Sequence, residues 1–423
     1  MIPKIGRRMP MSKMRPLARL SVWLGQTLVG GITELPNDRN IFVFDQSYIG
    51  NRNRPVLSLS FFNAEGNLNS ATIETQTKVA PFFSNLLPEE DLRRYVARLA
   101  NVKEVRDLPL LQLLGEDLPG AVVVRSESDG PPPEGFEEDL TVQGPSRENQ
   151  PLRFSLAGVQ MKFSAAGSPE KGLTIPVEGR GGHWIVKLPS QRYPLVPENE
   201  HSMMQFARAV GIDTAETGLV PTEEIEGLPE PFRTKANSLW VRRFDRTHEN
   251  TRIHMEDFNQ LYRQFPREKY DNYSYGNMAK DLASIADLEA VREFVSRLIF
   301  SAAIGNADMH LKNWTLLYQD GRTPKLSPAY DFVSTIAYLD DFTMALSVSK
   351  EKDVRKFDRA LLTRFAAKVP VPERLMTDAA MQTAERMVTV WPQIREDLVM
   401  SAEAKERVTK RMQIFPLTRQ FMQ

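Results

Sequence analysis

The amino-acid sequence predicts an α+β protein, with strands concentrated early in the chain and helices towards its end. Three observations carry that expectation. Short alternating apolar runs begin at Leu20, the composition shifts to glycine, proline and acids between Ser126 and Gln150, and apolar residues spaced at three and four recur from Leu288. The chain divides accordingly into a leader (1–19), a β-rich subdomain (20–125), a linker (126–150), a second strand-bearing lobe (151–246) and a mainly helical lobe (247–423).

The leader is basic and carries Met9, Met11 and Met14, but has neither the apolar stretch nor the small-residue cleavage site of a signal peptide; it reads as a frayed segment ahead of the true start. Ser21–Leu24, Ile41–Phe44 and Val56–Leu59 alternate as strands do, with Gly30-Gly31, Asn37-Asp38 and the polar stretch Asn51–Arg54 as dividers. Leu87-Pro88-Glu89-Glu90-Asp91 opens a helix with acids in its first turn and Leu92, Val96 and Leu99 on one stripe; a second helix covers Leu108–Leu114. After Gly130-Pro131-Pro132-Pro133, strands return near Leu152–Phe163, Leu173–Ile175, Trp184–Leu188 and Ser238–Phe244. A helix over Glu198–Val210, ending at Gly211, interrupts them. Leu288, Val291, Phe294, Leu298 and Ala302 mark a core helix running to Gly305. A hairpin around Asp320-Gly321 and two or three amphipathic helices complete the chain.

Composition excludes several classes of function. With 54 acids balancing 54 bases, the chain lacks the basic excess needed to coat nucleic acid unaided. Its 41% hydrophobic and 26% charged residues are globular values. It has no cysteine, which removes disulfides, thiolate metal sites and cysteine nucleophiles and fits a reducing cytosol. No apolar run reaches the roughly 18–20 residues that cross a bilayer.

The most informative stretch is Ile304-Gly305-Asn306-Ala307-Asp308-Met309-His310-Leu311-Lys312-Asn313, at the junction of the core helix and a strand. Asp308 and Asn313 share the separation of the catalytic-loop Asp and Asn in the protein-kinase pattern. Downstream, Tyr330-Asp331-Phe332 offers a second carboxylate, as phosphoryl transfer requires where a divalent ion must neutralise phosphate charge. Lys187 lies in an apolar strand, where a cation is costly unless paired; Glu200 on the following helix is a candidate partner, and snorkelling from an edge strand is the competing reading. Ser155–Lys162 forms a small-residue turn able to cradle phosphate, but with one glycine it fits neither the Walker nor the G-x-G-x-x-G pattern. The five histidines show no zinc-hydrolase spacing, and Arg242, Arg243 and Arg246 read as a solvated strand end.

Taken in order, Ser155–Lys162, Lys187, Asn199-Glu200, Phe244-Asp245-Arg246, Asn306–Asn313 and Tyr330-Asp331 resemble the HipA family of serine/threonine kinase toxins. Val22-Trp23-Leu24 and Leu57-Ser58-Leu59-Ser60 are similar to that family's first subdomain, so the resemblance spans nearly the whole chain after the leader. It implies a two-lobed protein-kinase-like fold in which 151–246 is the nucleotide-binding lobe and 247–423 the catalytic one, with ATP and Mg2+ as cofactors. By the same resemblance Asp308 is the catalytic base, Asn313 and Asp331 are magnesium ligands, and Lys187 is the phosphate-binding lysine, ion-paired to Glu200. Ala157, Gly158, Val159, Gln160, Met161 and Lys162 would cover the phosphates, and the backbone of Arg242, Arg243 and Phe244 would meet adenine. His310, Leu311, Lys312 and Tyr330 would join Asn313 and Asp331 around the nucleotide, and Ser155 matches the self-phosphorylated serine, an off switch.

The resemblance further implies a cytoplasmic bacterial toxin that does not enter a membrane. It would pair with a small helix-turn-helix antitoxin (HipB-like), reach operator DNA through it, and act on a protein substrate, of which an aminoacyl-tRNA synthetase is the best-known type. Two departures stand out: Val333 replaces the glycine after Asp-Phe of typical protein kinases, and Arg242 occupies a hinge position where some relatives carry an acid. A small-molecule phosphotransferase is one alternative, although it would not need residues 20–125. A non-catalytic co-repressor is another, opposed by the intact set of Lys187, Asp308, Asn313 and Asp331.

Overall fold

The first apolar run becomes strand β1 (Arg19–Leu24) in the computed structural model, which describes residues 17–127, 161–176 and 182–422. It pairs antiparallel with β2 (Thr27–Leu35), and β3 (Arg39–Phe44), β4 (Ile73–Gln76) and β5 (Val122–Ser126) complete a sheet of order β4-β3-β2-β1-β5. Alternate residues of β1 and β3 point inward, burying Leu20, Val22, Phe42 and Phe44. Two expectations fail here. Gly30 and Gly31 lie within β2 rather than dividing strands, because a side chain at Gly30 would run into the Val43 carbonyl of β3, with Cβ at 2.2 Å. Val56–Leu59 is not a strand: Ser58 caps a single 3-10 turn, Leu59–Phe61, and is tied to the distant Glu256.

The second sheet contains β6 (Lys162–Ser168), β7 (Gly172–Thr174), β8 (Trp184–Lys187), β9 (Thr217–Pro221) and β10 (Asn237–Arg242), in the order β7-β6-β8-β10-β9. Thr217–Pro221 carries no strand signal in the sequence, and β9 is an addition of the structure. Phe163, Leu173 and Val186 from this sheet share one apolar core with Val22, Phe83 and Leu111 of the first unit. The helix Val196–Val210 packs its buried Met203, Phe206 and Val210 against the other core and ends at Gly211 in the left-handed region.

In the larger lobe, β11 (His254–Asp257) pairs with β12 (Thr315–Tyr318), which pairs in turn with β13 (Lys325–Leu326). The helix Leu288–Ile304 starts on an Asp287 cap and is buried along most of its length against the helix Glu373–Ile394. It stops at Gly305, whose φ of 71° releases the chain into the Asn306–Asn313 loop. An unanticipated hairpin, β14 (Thr343–Val348) and β15 (Glu351–Asp353), turns on Ser349 and Lys350, both at positive φ. The helices Arg359–Ala366, Glu373–Ile394 and Ala402–Ile414 close an α+β structure of two lobes. No helix among the described residues is long and apolar enough to cross a membrane.

Candidate active site

A cleft of about 790 Å3 lies where the two lobes and the N-terminal unit meet. Lys162 and Lys187 are register partners on β6 and β8, so both side chains emerge on the same face of the sheet, into the cleft. Lys187 is buried and bridges two carboxylates: Glu200 at 2.6 Å from the helix behind it, and Asp331 from the far lobe. Burial alone would discharge Lys187, but Asp331 and Glu200 outweigh it and hold the ammonium well above its ordinary pKa. Burial raises Glu200, whereas Asp331 is held low against its own desolvation by Lys187 and Lys162. Lys162 is pushed down to about 8, by burial first and by the neighbouring Lys187 charge.

Asp331 adopts φ 57°, a conformation costly for a non-glycine residue by about 1–2 kcal/mol. Phe332 beside it is fully buried against Phe300, which anchors the turn and leaves Asp331 facing the cleft. Asn199, next to Glu200, holds the following segment: its amide oxygen accepts from Ser334 N–H at 3.0 Å, and its nitrogen donates to the Ser334 carbonyl and the Tyr338 hydroxyl.

Opposite stands the loop from Asn306 to Asn313. Asp308 reaches solvent, yet enough protein surrounds its carboxylate to push its pKa up by desolvation, and Tyr270 donates to it. Asn313 donates through its amide nitrogen to the Asp308 carbonyl at 3.0 Å, leaving its amide oxygen to accept or to ligate a cation. His310 is buried with Nδ1 unpartnered and is driven down to about 3, so the ring is neutral at physiological pH. Tyr330 donates to the Lys312 carbonyl at 2.8 Å, and its ring lies 5.4 Å from Phe244, forming an aromatic floor.

Most of the expected site residues line this cleft: Met161, Lys162, Lys187, Glu200, Arg242, Arg243, Phe244, Asp308, His310, Lys312, Asn313, Tyr330 and Asp331. Leu311 does not; it is fully buried in the core of the large lobe. Ser155, Ala157, Gly158, Val159 and Gln160 lie outside the described residues. At the hinge the amides of Arg242 and Arg243 are spent on the carbonyls of Glu216 and His183, both at 2.8 Å, so of the three only Phe244 N–H remains for a base. The expectation of a solvated strand end holds for Arg242, whose side chain is partly exposed, but is overturned for its two neighbours in the motif. Arg243 and Arg246 are buried, because Asp245 grips Arg243 through two bonds and Asp117 and the Gly120 carbonyl take Arg246.

Sequence reasoning missed Glu89, Lys269 and Tyr270, and made nothing of Asn199 beyond its place in the motif. In the sequence Glu89 reads as one of the acids of a helix start. It does precede the helix Glu90–Leu99, but it makes no side-chain cap and instead reaches Lys312 and Lys269.

A buried strand lysine paired to a helix glutamate, facing an Asp/Asn loop and a second Asp across an interlobe cleft, defines the kinase-like class. Residues 20–125 match the HipA N-terminal domain and residues 154–391 the HipA-like C-terminal domain. The chain is 45% identical over 398 residues to "Putative kinase Y4dM" of Sinorhizobium fredii, covering 93% of this chain and 96% of the relative. It is 31% identical over 402 residues to "Putative kinase Y4mE" of the same organism, covering 88% and 91%. The fold matches HipA of Shewanella oneidensis MR-1, solved with HipB and operator DNA, with TM-score 0.70 at 19% identity over 95% of this chain and 97% of that one. The chain belongs to the HipA-like kinase family.

Proposed function

We propose that this kinase transfers the γ-phosphoryl group of ATP to a serine or threonine hydroxyl of a protein substrate. The observation that carries the reading is Lys187 held between Glu200 and Asp331 in the same cleft as Asp308 and Asn313. The paired ammonium groups of Lys187 and Lys162 suit a polyphosphate, and the Phe244–Tyr330 floor with Phe244 N–H suits a purine. Asp308 would accept the proton of the acceptor hydroxyl as its oxygen bonds to the γ-phosphorus and the bond to the ADP oxygen breaks.

One carboxylate, Asp331, and one amide oxygen, Asn313, make a hard-oxygen donor pair of the kind magnesium takes when phosphate and water complete its shell. Among the described residues no group of three or more His, Asp or Glu could hold a metal unaided. The ion would supply charge neutralisation for the transferring phosphoryl group. Asp331 meanwhile balances Lys187, so its exchange between ammonium and cation would accompany nucleotide binding.

The same reading includes self-phosphorylation of Ser155 as an off switch, a HipB-like helix-turn-helix antitoxin that brings the chain to operator DNA, and a cytoplasmic location. These rest on the family resemblance and, for the antitoxin, on the fold shared with a HipA solved in complex with HipB and DNA. Mass spectrometry after incubating the purified protein with Mg-ATP and a bacterial lysate tests the reading. New phosphoserine or phosphothreonine on a lysate protein is expected with wild type and not with Asp308→Ala; a wild-type protein that modifies nothing overturns it.

A further inference from the structure

We propose that Glu89 is a positioning residue for the catalytic loop, so that the N-terminal unit forms a working wall of the active site; this rests on the kinase reading above. Glu89 accepts from Lys312 at 2.5 Å, inside the loop, and from Lys269 at 3.0 Å, on the segment beside it. The Asn85 carbonyl takes Lys312 as well, at 3.3 Å. The side chains are 11%, 5% and 8% exposed for Glu89, Lys312 and Lys269, so neither lysine could lose this carboxylate without becoming a buried unpaired charge.

Both lysines are in turn coupled to the reacting groups. Leu311 N–H donates to the Lys269 carbonyl at 3.2 Å, and Tyr270, the next residue, donates its hydroxyl to Asp308 and meets the His310 ring edge-on at 5.0 Å. On the other arm Lys312 is bonded through its carbonyl to Tyr330 and is followed directly by Asn313, which donates to the Asp308 carbonyl. One carboxylate thus pins the loop from both sides of Asp308. At the same time Glu89 leaves the helix Glu90–Leu99 without a side-chain N-cap, a local cost that its use elsewhere accounts for.

The isosteric Glu89→Gln variant of the full chain tests this. Loss of loop placement should lower kcat about tenfold or more, and by a larger factor than it raises KM for ATP, because the groups around Lys187 are untouched while Lys312 and Asn313 of the loop line the same cleft. Amide exchange should quicken over residues 306–314 and remain unchanged in the helix Leu288–Ile304, and Glu89→Asp should recover part of kcat. Wild-type kcat together with unchanged exchange overturns the proposal, as does a joint loss of kcat and ATP affinity with faster exchange throughout the lobe. If Glu89→Gln does not fold, Lys269→Gln carries the test, with slower turnover and faster 306–314 exchange expected and wild-type values overturning it. A wild-type protein without transfer activity overturns the kinase reading instead, and the exchange contrast then decides the hold of Glu89 on the loop.

Discussion

Lys187 balances two carboxylates from opposite lobes on one buried ammonium, and removing it strands both. Lys187→Met should therefore destabilise the protein by about 3–5 kcal/mol, the cost of an uncompensated buried charge. Adding Glu200→Gln to that variant should recover part of the loss, since the buried acid can then stay neutral. Urea unfolding of the three proteins measures both effects; equal midpoints would show that the pair contributes nothing. Asp331→Asn is a different perturbation. It keeps shape and the buried Phe332 anchor but removes the charge that offsets Lys187 and Lys162. Transfer should fall on the order of a hundredfold while stability falls by less than in Lys187→Met, because Glu200 still pairs the ammonium, and near-normal turnover would remove Asp331 from the reacting groups.

At the scale of elements, the decisive junction is the end of the helix Leu288–Ile304. Gly305 sits at φ 71°, and a Cβ there would meet Ile336 at 2.7 Å, so both backbone and packing exclude a side chain. Its amide bonds into the last turn at Ala302, the Asn306 N–H follows onto the Ser301 carbonyl at 2.9 Å, and its own carbonyl accepts from Thr335 Oγ1 at 2.8 Å, tying the helix end to the segment after Asp331. Gly305→Ala should cost about 1–2 kcal/mol in backbone strain alone. Activity should fall further than stability, because the displaced atoms lead directly into Asp308. Thermal melts and turnover measured on the same sample separate the two.

Across the whole molecule, His254 is a seam between the N-terminal unit and the larger lobe. Its Nε2–H donates to the Leu57 carbonyl at 2.8 Å, the ring stacks on Tyr318, and the buried Nδ1 has no partner. Desolvation, only partly offset by the Leu57 bond, lowers its pKa to about 4 from an ordinary 6.5. The folded state thus binds a proton less readily than the unfolded one, so the contribution is fully present above pH 6.5 and is lost as pH falls through about 4. Up to about 3 kcal/mol is at stake. His254→Asn should flatten the dependence of melting temperature on pH across that window, and an unchanged slope would assign acid sensitivity elsewhere. Net charge makes a second prediction at this scale. With 54 acids and 54 bases the chain should bind operator DNA weakly alone and join it only through the antitoxin proposed above, and mobility shifts at physiological salt check this.

Short windows of the chain encode its local elements. Alternation in β1 and β3, the three-and-four stripe of the helix Leu288–Ile304 and the glycine that ends it are local preferences, and they were legible as such. The order of small motifs pointed to the family because each motif keeps its own spacing. Pairing across distance emerges only when the chain folds. Asp331 reaches Lys187 across 144 positions and Glu89 reaches Lys312 across 223, and no window contains both ends. Arg246 reads as solvated for the same reason, since the Asp117 and Gly120 that bury it come from the N-terminal unit. Gly30 reads as a divider until the Val43 carbonyl of the next strand leaves no room for a side chain. The cost of burying a charge, or of placing a Cβ, depends on which atoms arrive from elsewhere in the chain, and only folding brings them there.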